Sequence, residues 1–269
     1  MAPSSNSGVT PRLLRAFADG PTLQPMSKDR TDHTPAPASG TSPEASSRAE
    51  IDLFLDRVRS LSSFAPATHR GRLIFALDAT MSRQPTWDTA CRLQADMFRE
   101  AASIGGLDIQ LVYYRGLAEC RASPWVAEAE RLREIMSGID CRGGQTQIGK
   151  VLAHARREND ARKIAVLVFI GDAMEESLDD LCATAGELGL RNVRAFMFQE
   201  GQDPVCEQAF REVARLTHGA FCHFSSGAAH ELAELLRAAA AYAAGGIKAL
   251  ANLKERQSAA AVKLIEQLK

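Results

Sequence analysis

Asp78, Thr80 and Ser82 occupy alternate positions in "DATMS", at the point where the apolar run "RLIFAL" (Arg72–Leu77) stops. In an extended backbone every second side chain points the same way, so three oxygens can converge on one side of this loop. Asp172 ends a second apolar run, "KIAVLVFIG", in the same manner. Thr146 follows the glycine turn Gly143–Gly144, where a helical pattern begins. A carboxylate beside buried strands is costly unless a positive charge compensates it. The oxygen-bearing side chains of Asp78, Thr80, Ser82, Thr146 and Asp172 suit Mg2+, with Mn2+ or Ca2+ as alternatives, and need neither His nor Cys. Zinc is not the expected occupant. The two carboxylates would repel each other across an empty site, so removing Asp172 is expected to abolish binding while leaving the fold intact or more stable.

The elements that must hold these residues follow from hydrophobic periodicity. "RLIFAL" and "KIAVLVFIG" are short and continuously apolar, as strands covered on both faces are. "LDIQLVYY", "VRAFMFQ" and "AFCHFS" read as further strands, and "ECRASPW" as a short edge strand. Helices are expected around Trp87–Ser103, from Val126 to about Ser137, and after each later strand. Strands alternating with helices imply right-handed crossovers and a mostly parallel sheet, an α/β fold in which ligands sit beyond the carboxyl ends of the strands.

The motif residues resemble the metal-ion-dependent adhesion site (MIDAS) of the von Willebrand factor A (VWA) domain family, which combines Asp-x-Ser-x-Ser, a distant Thr and a later Asp. "DATMS" corresponds to the first element, Thr146 in "GGQT" to the second, and Asp172 in "FIGDAMEE" to the third. The resemblance covers roughly residues 70–242. It implies a doubly wound, Rossmann-like six-stranded sheet in the order 3-2-1-4-5-6, with helices on both faces. It further implies that the hydroxyls hold the ion directly and the aspartates partly through water, leaving one coordination position for a partner's Asp or Glu. Two departures stand out: Thr80 replaces a serine and adds a methyl group that restricts its rotamers, and Ala173 follows Asp172 where many relatives have glycine.

The alternative function is a Mg2+-dependent phosphohydrolase of haloacid-dehalogenase-like type, whose chemistry also starts from a strand-end aspartate. That reaction wants a second acid two residues later, where this chain has Thr80, and a phosphate-pairing cation. Lys163, the natural place to look, precedes its strand and is expected at the opposite end from Asp78. No P-loop motif is present. A binding module rather than an enzyme is the expectation. Glu175 and Glu176 are read as dipole partners in the first turn of a helix, with added metal ligands or specificity groups around the site as the alternative, Cys222 and His223 as a core thiol and a rim histidine, and Trp125 as a specificity anchor or helix-cap packing.

Composition fits such a module. The chain has 269 residues, is 45% hydrophobic, and carries 32 basic and 33 acidic residues for a net charge of -1. That balance argues against nucleic acid and against attraction to anionic membranes. The 6 cysteines are dispersed without a Cys-x-x-Cys pair, as in a reducing compartment. The N-terminus lacks a continuous apolar stretch, and the expectation is a soluble cytoplasmic protein. Residues 1–48 hold seven of the 11 prolines and read as a disordered tail, with "PRLLRAF" (Pro11–Phe17) a potential docking motif. Residues 49–69 read as an N-terminal helix and linker, 70–244 as the VWA-like domain, and 245–269 as a C-terminal amphipathic helix able either to pack on the domain or to contact a partner helix through 247–269.

Overall fold

The computed structural model describes residues 70–268. The tail and N-terminal helix expected over 1–69, with Pro11–Phe17, lie outside the described residues. Strand β1 (Gly71–Asp78) is buried along its whole length. Leu73, Phe75 and Leu77 enter one core layer and Ile74 and Ala76 the other, which is the two-faced burial that a central parallel strand requires. A 3-10 turn (Met81–Arg83) leads into α1 (Gln84–Ala102), whose Trp87, Ala90, Met97 and Ala101 join the first layer. Pro85 sits in the first turn of α1, where its missing N–H costs nothing.

The remaining elements are β2 (Leu107–Arg115), β3 (Glu119–Ala122), α2 (Ala129–Ser137), α3 (Ile148–Ala161), β4 (Val166–Gly171), α4 (Leu178–Leu190), β5 (Arg194–Glu200), α5 (Pro204–Leu216), β6 (Ala220–Phe224), α6 (Ala229–Glu255) and α7 (Ala259–Gln267). The sheet order is β3-β2-β1-β4-β5-β6, parallel except for β3, which runs antiparallel to β2. Helices α1, α2, α6 and α7 cover one face and α3, α4 and α5 the other. From β1 the chain moves outward to β2 and β3 and then returns to β4 on β1's other side. The crevice at the carboxyl ends of β1 and β4 is therefore the topological switch point, where ligands of open α/β sheets bind.

Two local expectations differ from the structure. Val126 does not begin a helix: it exchanges two backbone hydrogen bonds of 2.8 Å with Ile109, and α2 starts three residues later. The segment expected as one C-terminal helix over 245–269 is instead the end of α6 plus a separate α7. Gly246, at φ 64° and ψ -155°, is not helical, so α6 is two helices meeting at a kink there, as the glycine pair suggested; glycine takes this conformation without a Cβ clash. The chain then turns at Gln257, and the Ser258 hydroxyl caps α7 by accepting from Ala261 N–H at 3.3 Å. Leu250, Leu253, Leu264 and Leu268 are buried in the domain core, so most of the apolar face offered to a partner helix is already covered. Ile247 remains 48% exposed. No described helix is long and apolar enough to cross a membrane.

Candidate metal centre

Asp78 ends β1 opposite Tyr114 of β2, and Asp172 directly follows Gly171, the last residue of β4. Because Leu77 lies beside Ile170 in the β1–β4 register, the two aspartates leave the sheet side by side. Thr146 comes from a third segment, ahead of α3. All five expected ligands, Asp78, Thr80, Ser82, Thr146 and Asp172, line one cleft of ≈ 240 Å³, together with Gly143, Gly144, Ala173 and Glu175.

Each loop is tied in place by atoms that leave ligand lone pairs over. The Thr80 N–H donates to Asp78 Oδ1 at 2.7 Å, which fixes the carboxylate and leaves Oδ2. Thr80 Oγ1 and Ser82 Oγ are 3.4 Å apart. The second segment is fastened by a reciprocal pair: Thr146 N–H donates to Glu175 Oε2 and Glu175 N–H donates to Thr146 Oγ1, both at 3.0 Å. It is also pressed against the β2–β3 turn, since a Cβ on Gly144 would lie 2.3 Å from the Gly116 backbone. Gly144→Ala is therefore expected to cost about 2 kcal/mol and to weaken any metal-induced rise in melting temperature by displacing Thr146. A melt with and without Mg2+ reads both effects, and a variant matching wild type in both would show that the loop has room to move.

Ala173 carries no strain, because it does not adopt a positive φ; this loop turns without the glycine its position suggested. Glu176 has a different role from the expected one. Helix α4 starts at Leu178 under a Ser177 cap, and Glu176 lies outside it, accepting from the Ile148 and Gly149 N–H groups at the start of α3. It is an N-terminal carboxylate for a different helix. Trp125 is also placed elsewhere: its indole N–H donates to Glu158 at 2.8 Å and its ring lies 3.7 Å from the Arg72 guanidinium, at the start of β1 and the far end from Asp78. Trp87 is buried and donates to the Met136 carbonyl. Cys222 is buried, while His223 contacts Gly201 O and Glu207. Among the described residues no group of three or more His, Cys, Asp and Glu side chains is arranged to hold a metal, so the centre depends on its hydroxyls.

The sequence reading missed Arg83. Its guanidinium, 4% exposed, lies 3.3 Å from Asp172 Oδ2 and pairs with Glu200. Glu200 is buried at the end of β5 and also accepts from the Thr86 hydroxyl. Asp172 thus faces a fixed cation as well as Asp78, so the expected gain in stability on removing it is offset by the loss of this contact. Glu200 carried the same signal as the other two acids, a carboxylate ending an apolar strand; Arg83 carried none.

Burial pushes the Asp78 carboxyl above its ordinary range, with the Thr80 hydrogen bonds acting in the opposite direction. Tyr114 is fully buried beside it, its phenol pushed well up by burial and then by the charge and close approach of the Asp78 carboxylate; among the described residues no group meets its hydroxyl in full hydrogen-bond geometry. The oxygen-only donor set, the carboxylate raised by desolvation and the orphaned hydroxyl together fit a hard cation with bound water. Tyr114→Phe is expected to be neutral or to stabilise by up to about 1 kcal/mol in EDTA, because it removes an unsatisfied polar atom. A loss above that in a denaturant melt would mean that the hydroxyl is already satisfied.

No protein-family model matches the sequence, and no curated protein is significantly similar to it. Solved structures do match. The SpRpn10 VWA domain superposes with TM-score 0.50 at 11% identity, covering 62% of this chain and 95% of that one. The chain has the VWA fold. Proximal thread matrix protein 1 from the mussel byssus, solved with zinc in its MIDAS motif, gives TM-score 0.51 at 14% identity over 71% of this chain and 52% of that one. The pilus adhesin SpaC from Lactobacillus rhamnosus GG, in an open conformation, gives 0.50 at 9% over 66% and 30%. The chain therefore spans about half of the mussel protein and under a third of the adhesin, and what it shares with them is the VWA fold. In that fold the cleft at Asp78 and Asp172 lies at the carboxyl end of the sheet, between its two central strands.

Proposed function

We propose that the chain is a divalent-metal-dependent protein-binding module that recruits an acidic residue of a partner. The observation that carries this reading is the convergence of five oxygen-bearing side chains from three segments on one cleft at the switch point of the sheet. Asp78, Thr80, Ser82, Thr146 and Asp172 would hold the ion, Mg2+ foremost with Mn2+ or Ca2+ as alternatives. A bound ion supplies one open coordination position for a partner's Asp or Glu. Thr80 and Ser82 present neutral hydroxyls, and Arg83 draws on the charge of Asp172, so the site under-neutralises a dication and favours a further carboxylate. Solved with zinc in its MIDAS motif, the mussel protein makes zinc a necessary probe alongside magnesium. A cytoplasmic setting is part of the proposal and is supported by six free cysteines, four of which burial holds at about 11 or 12, as thiols.

The phosphohydrolase reading gains no support from the site. Lys163 donates to the Arg191 carbonyl at 3.1 Å, before β4 and at the other end of the sheet from Asp78. No second acid stands two residues after Asp78.

The test is retention of a library of short peptides, with and without a central Glu, on immobilised protein in Mg2+, Zn2+ or EDTA. Glu-containing peptides retained only with metal, and not by Asp78→Asn, are the expected result. Retention indifferent to EDTA would sink the metal-bridged reading. Turnover of phosphate esters by the purified protein would move the assignment to the enzyme.

A further inference from the structure

The two edges of the sheet are treated differently. At β6 the side chain of Gln267 from α7 substitutes for a neighbouring strand: its Oε1 accepts from Phe221 N–H at 2.8 Å and its Nε2 donates to Phe221 O at 2.9 Å. At the other edge β3 pairs with β2 and, among the described residues, with no strand beyond it. An uncovered edge is a row of backbone donors and acceptors that another chain can extend.

Beside this edge runs a groove of ≈ 190 Å³ between β3 and α3, with Val112 and Cys120 among the residues along its sheet side. Its helical wall is basic. Lys150, His154 and Arg157 all line the groove, and their spacing of four and three residues places them on one face of α3. No carboxylate lines it. Most arginines on other helices are answered by a carboxylate three or four residues away, as in Arg131–Glu134, Arg133–Glu130, Arg211–Glu207 and Arg215–Glu212. Among the described residues neither Lys150 nor Arg157 forms such an ion pair; the Lys150 ammonium donates only to neutral acceptors, Ala118 O at 3.0 Å and Gln147 Oε1 at 2.8 Å. His154 is held as well. Buried Gln110 donates its Nε2 to Ser123 O, leaving its Oε1, 2.8 Å from His154 Nε2, as the acceptor, so the imidazole is fixed with its proton on Nε2.

We propose that this groove binds an acidic peptide segment in extended conformation, added to the sheet at β3 with its carboxylates directed at Lys150 and Arg157. The two contributions need each other. A four-residue strand offers few backbone pairings, and an isolated cationic face would hold any anion without regard to its shape. Lys150 and Arg157 are separated by about 10 Å along the helix axis. Carboxylates two to four residues apart on one side of a strand span about 7–13 Å, which matches that separation. The small residues Cys120 and Ala122 on β3 leave space for the incoming side chains. This surface is separate from the cleft at Asp78 and does not require a metal.

The test titrates a fluorescein-labelled peptide of roughly eight residues, alternating Glu and Val, into the whole protein in low-salt buffer with EDTA, read by anisotropy. EDTA removes the metal-bridged mode, so failure here leaves the proposed function untouched, and the reverse also holds. Lys150→Glu with Arg157→Glu is expected to weaken binding by about ten-fold or more, while Lys150→Arg with Arg157→Lys retains it. Both positions are on the surface, and either single reversal gives the same reading if the pair fails to fold. Methylating alternate peptide nitrogens is also expected to weaken binding. Affinity unchanged by charge reversal, or by N-methylation, overturns the proposal, the latter leaving an unspecific cationic patch. A concentration-dependent dimer dispersed by the peptide would make a second copy the occupant and overturn it too.

Discussion

Arg83→Met is expected to lower the stability of the domain by about 3–5 kcal/mol, the penalty for leaving a buried charge without its partner. Methionine fills much of the arginine's volume, so lost packing contributes little. What changes is electrostatic: Glu200, with its side chain 8% exposed, keeps only the Thr86 hydroxyl as a strong donor. The interaction spans the site, because Arg83 belongs to the first loop, Asp172 to the loop after β4, and Glu200 to the end of β5. Denaturant melts in EDTA of wild type, Arg83→Met, Glu200→Met and the double variant measure it. The double variant should recover most of the loss, since replacing both members of a buried pair by apolar groups is often neutral. A single-variant loss below about 1 kcal/mol would mean that water reaches Glu200 and that the pair behaves as a surface one.

The difference between Arg83 and the aspartates shows what a sequence can carry. Asp78 and Asp172 are legible because a carboxylate interrupts a continuous apolar run, and both the run and the interruption are local. Glu200 interrupts the run "RAFMFQ" in the same way, and could have been found by the same rule. Arg83 follows the motif in an ordinary polar stretch, and its burial is decided by an acid far along the chain, which no periodicity records. Glu176 is similar: its position near a helix start was readable, but the sequence did not say that α3 rather than α4 would receive it. The alternation of strands and helices made a mostly parallel sheet accessible, whereas the strand order came only with the resemblance that the motif residues carry to the VWA family. The division of residues 247–269 at Gln257 and Ser258 was not accessible, because no glycine or proline marks that turn, which Gln257 makes at φ 64°. Trp125 lay near loop residues in sequence, yet the antiparallel return through β3 carries it to the amino end of the sheet, beside Arg72.

Asp78→Asn should remove the metal response altogether while leaving the fold in place. Asparagine retains an oxygen to accept the Thr80 N–H, now 2.7 Å from Asp78 Oδ1, so the first loop keeps its anchor. It also removes the charge that burial disfavours, and the metal-free variant is expected to melt at or slightly above the wild type. The wild type should gain about 2.7 kcal/mol when a divalent ion is present at a hundred times its dissociation constant, because only the folded chain brings the three segments together. Asp172→Asn should lose the same response with a different baseline, since its carboxylate also faces Arg83 at 3.3 Å and its removal relieves repulsion only by giving up that contact. Melts of the three proteins in EDTA, Mg2+, Mn2+, Ca2+ and Zn2+ separate these cases. A wild-type shift that persists in Asp78→Asn would place the ion elsewhere. Absence of a shift with every ion would mean that Arg83 supplies all the positive charge the cleft accepts, and that Asp78, Thr146 and Asp172 serve the loops and not a metal.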